Sequence, residues 1–508
     1  MGYMIGIDVG TSGVKTIAVT PEGKITAEAV AEYALHHPKS GWAEQNPEDW
    51  WQAALTCLRE ISGKLGSGAS GVKAIGLSGQ MHGSVFVDKH HKVLRPAILW
   101  CDVRTAAECR FIHEKVGKDK LIQYVSNPAL EGFTAPKIVW LKHHEPDIYK
   151  HVYKVLLPKD YVRLKLTGEL FTEASDAAGT LLFDVTQRRW SDEVLKALDI
   201  SSDILPPWRE SGDICGYLQD DVAEAVGLPR NIPIAGGGAD NAAGAVGAGI
   251  VKPGRVLTSI GSSGVVLAHT DTPKTDPQGR VHTFNHSIPH KWYVMGVIMA
   301  AGLSLKWFRD NFGQIERQME NLTGRDAYVF MDQQAAQTAA GAEGLVFLPY
   351  LNGERTPHAD ANARGVFFGL DPRHTRGHMM RAIMEGVVFA LRDSVEIIRD
   401  MGIAVDQVRA IGGGAKSPLW LEIQANILNV EVAVLNIDEG PALGAALLGG
   451  RAAGIYNSVE EAAESVVRVG DTVKPTQDFV QRYEQYYQFY RSLYPVLKES
   501  FQIAAGMR

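Results

Sequence analysis

Short runs of strand-forming apolar residues alternate along the chain with longer stretches of helical periodicity. The first run is Ile5-Gly6-Ile7-Asp8-Val9, then four small residues, Gly10-Thr11-Ser12-Gly13, then a second run, Val14-Lys15-Thr16-Ile17-Ala18-Val19. Two such runs around a glycine-framed turn predict a β-hairpin, and Glu22-Gly23-Lys24 marks the next turn. A helix follows the polar segment Gly41 to Pro47, with Asn46 suited to the N-cap and Pro47 to the first helical position. Trp50, Trp51, Ala54 and Leu58 form its apolar face. Val72 to Ser78 reads as a buried strand running into Gly79-Gln80-Met81-His82-Gly83, while Val85 to Asp88 and Ala97 to Trp100 suggest further sheet. This alternation predicts a layered α/β architecture.

The opening pattern recurs. Arg255 to Leu267 is again two apolar runs around a glycine-hydroxyl turn, here Gly261-Ser262-Ser263-Gly264. Glycine in such a turn can adopt positive φ and lets the backbone approach a bound group, leaving N–H groups and hydroxyls to hold phosphate oxygens. A single turn of this kind is most often an ordinary hairpin. Two of them, the first carrying Asp8 and Lys15, suggest a duplicated architecture closing on a nucleotide from both sides. Two small-residue helices repeat as well, one from Asp240 within the stretch Gly236 to Gly249 and one over Pro441 to Gly449. Small residues allow close helix crossing, which suits a hinge. Val408 to Ile411 is a strand ending in Gly412-Gly413-Gly414-Ala415, with a helix from about Ser417, a common way to seat a nucleotide. The last helix, about 477–500, carries Phe479, Tyr483, Tyr487, Tyr490 and Tyr494 at helical spacing and reads as a packing surface docked on one of the domains.

At 508 residues the chain exceeds one ordinary core, so two domains are expected, 1–247 and 248–508, joined near the Gly236 to Gly249 stretch. A hydrophobic share of 45% and a charged share of 21% describe a soluble globular protein. The net charge of −7 and the lack of a long basic run give no reason to expect nucleic-acid binding. Cys57, Cys101, Cys109 and Cys215 form no metal or CxxC spacing, and the His pairs at 36–37, 90–91 and 143–144 lack ligand spacing. With no leader and no bilayer-length apolar stretch, the expected setting is the cytoplasm, without a membrane partner.

Taken in order, the motifs Asp8 to Lys15, Gly79 to Gly83, Leu94 to Trp100, Gly132 to Lys137, Leu157 to Tyr161, Ser175 to Thr180, Gly237 to Gly244, Phe347 to Pro357 and Gly412 to Ala415 resemble the FGGY carbohydrate kinases over essentially the whole chain. The resemblance implies an actin-like fold of two ribonuclease-H-like domains around a cleft, with ATP mainly on the second domain and the sugar on the first. It implies transfer of the γ-phosphoryl group of Mg-ATP to the 5-hydroxyl of D-xylulose, since Gln80-Met81-His82-Gly83 matches the ketose-using branch. Asp240 aligns with the family's general base, although from local sequence an Asp before an alanine-rich helix is more simply an N-cap. Asp8 would orient Mg²⁺, and Gly10, Thr11, Ser12, Gly13 and Lys15 would face the phosphates from one side, Gly261, Ser262 and Ser263 from the other. Alone, Lys15 reads as a solvated strand residue and Asp8 as a turn-bonding carboxylate. Met81 would pack on the sugar skeleton, His82 would donate to a hydroxyl, and Asn241 and Trp100 would complete the pocket. Outside the motif, His82 is a structural histidine and Trp100 a core residue. Gly302, Lys306, Gly413, Gly414, Ala415 and Ser417 would approach the adenosine; Glu354 and Arg355 are expected to support the inter-domain structure.

Three positions depart from the family pattern: Ser262 in place of Thr, Pro418 where relatives have an Asn, and Cys101-Asp102-Val103-Arg104 where Asn-Asp-Gly-Arg is common. The second leaves base selectivity open and the third the sugar. A kinase for another ketose or polyol therefore stands beside the leading reading, as does an actin-fold ATPase or a sugar sensor without kinase activity. A homodimer follows from symmetry base rates and family habit.

Overall fold

The computed structural model describes residues 2–437 and 439–507. Two seven-stranded sheets organise it. The first contains β1 (Tyr3–Val9), β2 (Gly13–Val19), β3 (Ile25–Glu32), β4 (Val72–Gly79), β5 (Ile214–Tyr217), β6 (Pro233–Ala235) and β7 (Gly238–Ala239). Its order is β5-β6-β4-β1-β2-β3, with β7 also pairing to β4. The second contains β8 (Gly254–Ile260), β9 (Gly264–Thr270), β10 (His282–Asn285), β11 (Trp292–Ile298), β12 (Val405–Gly412), β13 (Glu431–Leu435) and β14 (Val469–Val473), in the order β10-β11-β9-β8-β12-β13-β14.

Each sheet repeats one plan. β1 pairs antiparallel with β2 and parallel with β4; β8 pairs antiparallel with β9 and parallel with β12. Asp8 stands opposite Lys15 and Ser78, and Ser259 opposite Val265 and Ile411, so the two turns occupy equivalent places at carboxyl ends of parallel strands. The stretches 85–87 and 97–98 form small separate two-stranded ladders and do not extend the large sheet; Leu99 and Trp100 leave the strand.

The helices that matter to the cleft are α1 (Pro47–Leu65), α2 (Thr134–His144), α3 (Pro158–Thr167), α4 (Ala174–Ala178), α5 (Asp240–Gly247), α6 (Gly302–Phe312), α7 (Ala327–Ala336), α8 (Arg376–Asp400), α9 (Pro418–Leu428), α10 (Gly440–Ala452) and α11 (Gln477–Gly506). Asn46 caps α1 by accepting from Glu48 N, and Ser417 caps α9 by accepting from Trp420 N. On one face of the first sheet, Ile5, Ile7 and Val9 meet Trp50, Leu58 and Val162. On the opposite face, Met4 and Ile17 share a cluster with Leu443, Ala446 and Leu447. A helix late in the chain therefore covers the sheet built by its beginning.

That contact is backbone against backbone. A Cβ on Gly6 would lie 1.9 Å from Ala442 O, one on Gly76 1.8 Å from Ala445 O, and one on Gly444 1.8 Å from Ala243 O. α5 and α10 thus cross directly, between sheets whose residues Met4, Leu257, Leu267 and Met295 share one core with them. The C-terminal core is separate, with Val256, Val266 and Val294 packed on α8, α9 and α11. The aromatic stripe of α11 docks there: Tyr483, Tyr487, Tyr490 and Tyr494 are buried, and their hydroxyls reach Glu385, Asp393, Tyr350 and Asp360.

The glycines of the two turns differ from expectation in one respect. Gly10, Gly13, Gly261 and Gly264 have no positive φ. Gly13 is required by crowding, since a Cβ would lie 2.7 Å from Ala31 O; at Gly264 the obstacle is Ile298, at 2.6 Å. Close approach, and not left-handed backbone, explains these positions.

Gly444→Ala is expected to cost the upper end of the usual overpacking penalty of about 1–3 kcal/mol, because the obstructing carbonyl cannot rotate away. Gly63→Ala, in α1 with open space around the added carbon, is expected to stabilise by about 0.5–1 kcal/mol. Urea unfolding of the two variants against the parent measures both.

Candidate active site

The carboxyl ends of β1, β4 and β7 converge on one point of the cleft. Asp8 lies opposite Ser78, and Gly238 and Ala239 pair with Ser78 and Gly79, so Asp240 begins α5 immediately beyond Asp8. Sites at this end of parallel strands are the general habit of open α/β sheets. Asp240 is the first residue of α5 and Ala239 its cap, so the simple N-cap role does not apply. Asp240 Oδ1 accepts from Asn241 N at 2.6 Å and Asn241 Nδ2 at 2.8 Å, leaving Oδ2 without a protein partner among the described residues. Burial, and then the charge of Asp8, push its carboxyl up to about 7, against the two Asn241 hydrogen bonds. Burial likewise raises Asp8 to about 6, opposed by the Ser78 hydroxyl and the Lys15 charge. Asp8 Oδ1 is buried with no hydrogen-bond partner, an atom prepared for a ligand absent from the chain itself.

Behind Asp240 lies a fully buried charged cluster. Lys159 Nζ stands 2.7 Å from Asp160, 2.9 Å from Asp176 and 3.3 Å from Glu173, and Arg163 stands 3.0 Å from Asp160. Glu173 accepts from the N–H groups of Ser175 and Asp176 and from the hydroxyls of Ser175 and Ser211. Ser175 Oγ in turn accepts from Ala239 N, and Arg163 donates to Gly236 O. Both ends of the strand that delivers Asp240 are thereby tied to one network. Lys159, Arg163, Glu173 and Ser175 drew no chemical role from sequence, although Lys159 and Ser175 lie in motifs that carry the family resemblance.

On the sugar side Met81 is buried, its Sδ 3.6 Å from Asn241 Nδ2 and 4.0 Å from Tyr293 Oη. His82 has φ of +67°, a left-handed conformation held by Lys137, whose Nζ donates to His82 O at 2.8 Å and Gly132 O at 2.7 Å. Lys137 itself is buried, which pushes its ammonium down to about 7 against the pull of Asp102. His82 Nδ1 lies 2.6 Å from Gly179 O, and a carbonyl only accepts, so the ring proton sits on Nδ1. Burial holds the ring neutral, at about 3. Nε2 is therefore an acceptor, and the donor role expected for His82 is reversed.

The first turn is already engaged. Thr11 Oγ1 donates to Gln80 Oε1 at 3.1 Å and accepts from Trp100 Nε1 at 3.0 Å, which ties the phosphate turn to the segment carrying Met81 and His82. Trp100 is 40% exposed, so it is no core residue. Lys15 Nζ is paired with Glu439 at 2.5 Å, and more loosely with Glu28 at 3.8 Å, so reaching a phosphate requires exchanging those carboxylates. Gly10 N closes on Gly13 O, while Ser12 stands exposed at the turn.

Across the cleft, the second turn abuts α6: Gly302 N donates to Gly261 O, and Ala301 N and Leu303 N to Ser262 O. A cavity of about 790 Å³ opens there, lined by Gly261, Ser262, Gly302, Lys306, Gly413, Gly414 and Ser417. Ser263 and Ala415 are not on its wall, and Ala415 instead packs on the C-terminal core. Lys306 is paired with Asp310 at 2.5 Å. Asp332 and Gln333 of α7 also line the cavity, unread from sequence; Ser417 Oγ donates to Asp332 at 2.5 Å while capping α9.

Two domain models span this geometry. Residues 3–247 match the N-terminal domain of the FGGY family of carbohydrate kinases, and residues 256–453 match its C-terminal domain. The chain belongs to that family, and its two-domain α/β fold is the actin-like one. It is 45% identical over 499 residues, 98% of each chain, to the xylulose kinase of Bacillus subtilis (strain 168). A solved structure named as a xyloylose kinase from Brucella ovis superposes with a TM-score of 0.90 at 36% identity, covering 98% of this chain and 99% of that one. A gluconate kinase from Lactobacillus acidophilus superposes at 0.91 with 25% identity, covering 99% of each, so the fold is common to kinases of unlike sugars. Among the described residues, no helix is long and apolar enough to cross a membrane.

Two measurements check the site. An infrared carboxylate titration of nucleotide-free protein, with the Asp240→Asn spectrum subtracted, is expected to place Asp240 near 7. Asp8→Asn removes the like charge that disfavours ionisation, so the Asp240 midpoint is expected to fall. Lys137→Met removes two charge-assisted hydrogen bonds, each worth about 1.5–3 kcal/mol, and is expected to weaken sugar binding at least about ten-fold with nucleotide affinity retained, as read by calorimetry.

Proposed function

We propose that this chain is an ATP-dependent kinase that phosphorylates the 5-hydroxyl of D-xylulose, giving D-xylulose 5-phosphate and ADP. The observation that carries the reading is Asp240 Oδ2, without a protein partner among the described residues and next to Asn241, whose Nδ2 lies 3.6 Å from Met81 Sδ. The relatives named as xylulose kinases, similar over nearly the full length, support the same substrate.

Phosphoryl transfer asks the protein for position, charge compensation and a proton acceptor. Asp240 Oδ2 takes the hydroxyl proton as the sugar oxygen attacks, a contribution of about 10²–10⁴-fold in general-base systems. Asn241 fixes Oδ1 and so aims Oδ2. Met81 packs against the carbon skeleton, and His82 Nε2 accepts from a sugar hydroxyl. The turns at 10–13 and 261–263 hold the phosphates, with Lys15 released from Glu439 as the nucleotide arrives. The adenosine occupies the cavity between α6, α7 and the 413–417 segment. The orphaned Asp8 Oδ1 fits a hydrated cation, and Asp8 would hold Mg²⁺ through its water shell, where the ion neutralises phosphate charge. Closure of the halves about the α5–α10 crossing would exclude water and limit wasteful hydrolysis. Four free cysteines suit the reducing cytoplasm.

A second reading, a kinase for a different sugar, draws on the Trp100 loop, where Val103 is 56% exposed beside Gly41. ADP release from Mg-ATP across D-xylulose, D-ribulose, L-ribulose, glycerol, gluconate and no sugar separates the readings. A selective response to D-xylulose, lost by more than about 10²-fold in Asp240→Ala, is the expected outcome. Selectivity for another sugar moves the assignment to that sugar. Sugar-independent turnover overturns the kinase reading.

A further inference from the structure

The sugar segment has a second wall, built from the C-terminal half. His282 and Phe284 of β10 lie buried on one side of their strand, their rings stacked with centroids 5.7 Å apart. They meet the ring of Phe133, 5.8 Å from His282 and 4.7 Å from His82, so two histidines from opposite halves flank one phenylalanine. Each imidazole is keyed the same way. Asn127 Nδ2 donates to Thr283 O, which turns its Oδ1 toward His282 Nδ1 at 3.0 Å; the ring proton therefore sits on Nδ1. His282 Nε2, like His82 Nε2, is a neutral acceptor without a protein partner among the described residues.

Arg355 stands beside this pair. Its loop is pinned to the same strands: Thr356 N donates to Val297 O, Thr356 Oγ1 to Arg280 O, and Glu354 Oε1 accepts from Met299 N. Arg280 lies two residues before His282, and Val297 two residues beyond Met295, the partner of His282 in the β10–β11 ladder. Arg355 is half-buried, and among the described residues no carboxylate lies within ion-pair distance of its guanidinium. Its charge lowers the basicity of His82 and His282, whereas the charge felt by Asp240 is that of Asp8.

We propose that His282 and Arg355 bind the ketose end of the sugar, His282 Nε2 accepting the 1-hydroxyl proton and the Arg355 guanidinium donating to the C2 carbonyl oxygen. The assignment rests on the D-xylulose kinase reading, since a 5-hydroxyl held at Asp240 directs C1 and C2 toward Arg355. A guanidinium only donates and a carbonyl only accepts, so the pair is complementary. The sugar then bridges the two halves, which gives it a differential hold on the closed arrangement.

The test sets two variants against substrates that each lack one contact. 1-Deoxy-D-xylulose lacks the 1-hydroxyl, and xylitol lacks the carbonyl. The parent is expected to prefer D-xylulose over each in kcat/KM by about ten-fold or more. In His282→Phe, which keeps the ring stack, the preference over 1-deoxy-D-xylulose is expected to collapse toward unity while that over xylitol persists. In Arg355→Gln the preference over xylitol collapses. His282→Gln and Arg355→Lys stand in where the first variants fail to fold, as judged by melting temperature and ATP affinity. Equal losses on all three substrates, or unchanged ratios, overturn the proposal. A parent that turns over no D-xylulose overturns the substrate reading itself, a distinct result.

Discussion

The crossing of two glycine- and alanine-lined helices governs this molecule. At α5 and α10 backbone meets backbone, with no side chain at Gly444 or Gly247 to hold the helices apart. The same helix, α10, lies on Gly6 and Gly76 of the first sheet, again through its carbonyl oxygens. This contact sets the distance between the sheets, and with it the distance between two phosphate turns at equivalent strand ends. Interiors are close-packed, so a contact without slack permits pivoting more readily than sliding. Asp240 opens one of the two crossing helices. The proposed proton acceptor is therefore mounted at the crossing itself.

A second constraint operates around the pivot. Asp8 and Asp240 are like charges near one another, and the charge of Asp8 adds to burial in raising the cost of ionising Asp240. The chain does not neutralise them: the Lys15 ammonium is drawn off to Glu439, and the Lys159 cluster is spent on Glu173, Asp160 and Asp176. Buried polar groups are ordinarily paired, and those left over mark where a ligand completes the structure. Among the described residues, Asp8 Oδ1 is such a group, and the second oxygen of Asp240 and the Arg355 guanidinium, on half-buried residues, also have no protein partner.

Much of this was legible in the sequence, and the reasons are local. Both hairpins announced themselves by apolar runs around small-residue turns, α1 by the cap Asn46, α9 by the glycine turn before Ser417, and α11 by its tyrosine spacing. Position 6 shows why other features were not. A glycine in the middle of a strand reads as a weakness, and only the tertiary approach of Ala442 O reveals its purpose. The turn glycines 13 and 264 were expected for their dihedral freedom and are present for lack of room. His82 was read as a donor because its tautomer depends on Gly179, nearly a hundred residues away.

The site residues that sequence passed over share one property: each acts through partners distant along the chain. Lys159 and Glu173 reach Asp240 only through Ser175 and Ala239 N, and Lys137 reaches the sugar only through the carbonyl of His82. A charged residue in a motif shows its charge but not its direction, and direction decides the chemistry. Glu354 and Arg355 make the point within one dipeptide. The glutamate turns back to hold Met299 N and Arg355 N, fixing the loop, and the recognition role proposed for Arg355 would use that same loop. From sequence the pair is expected to support the inter-domain structure, and their charges alone could not divide scaffold from recognition between them.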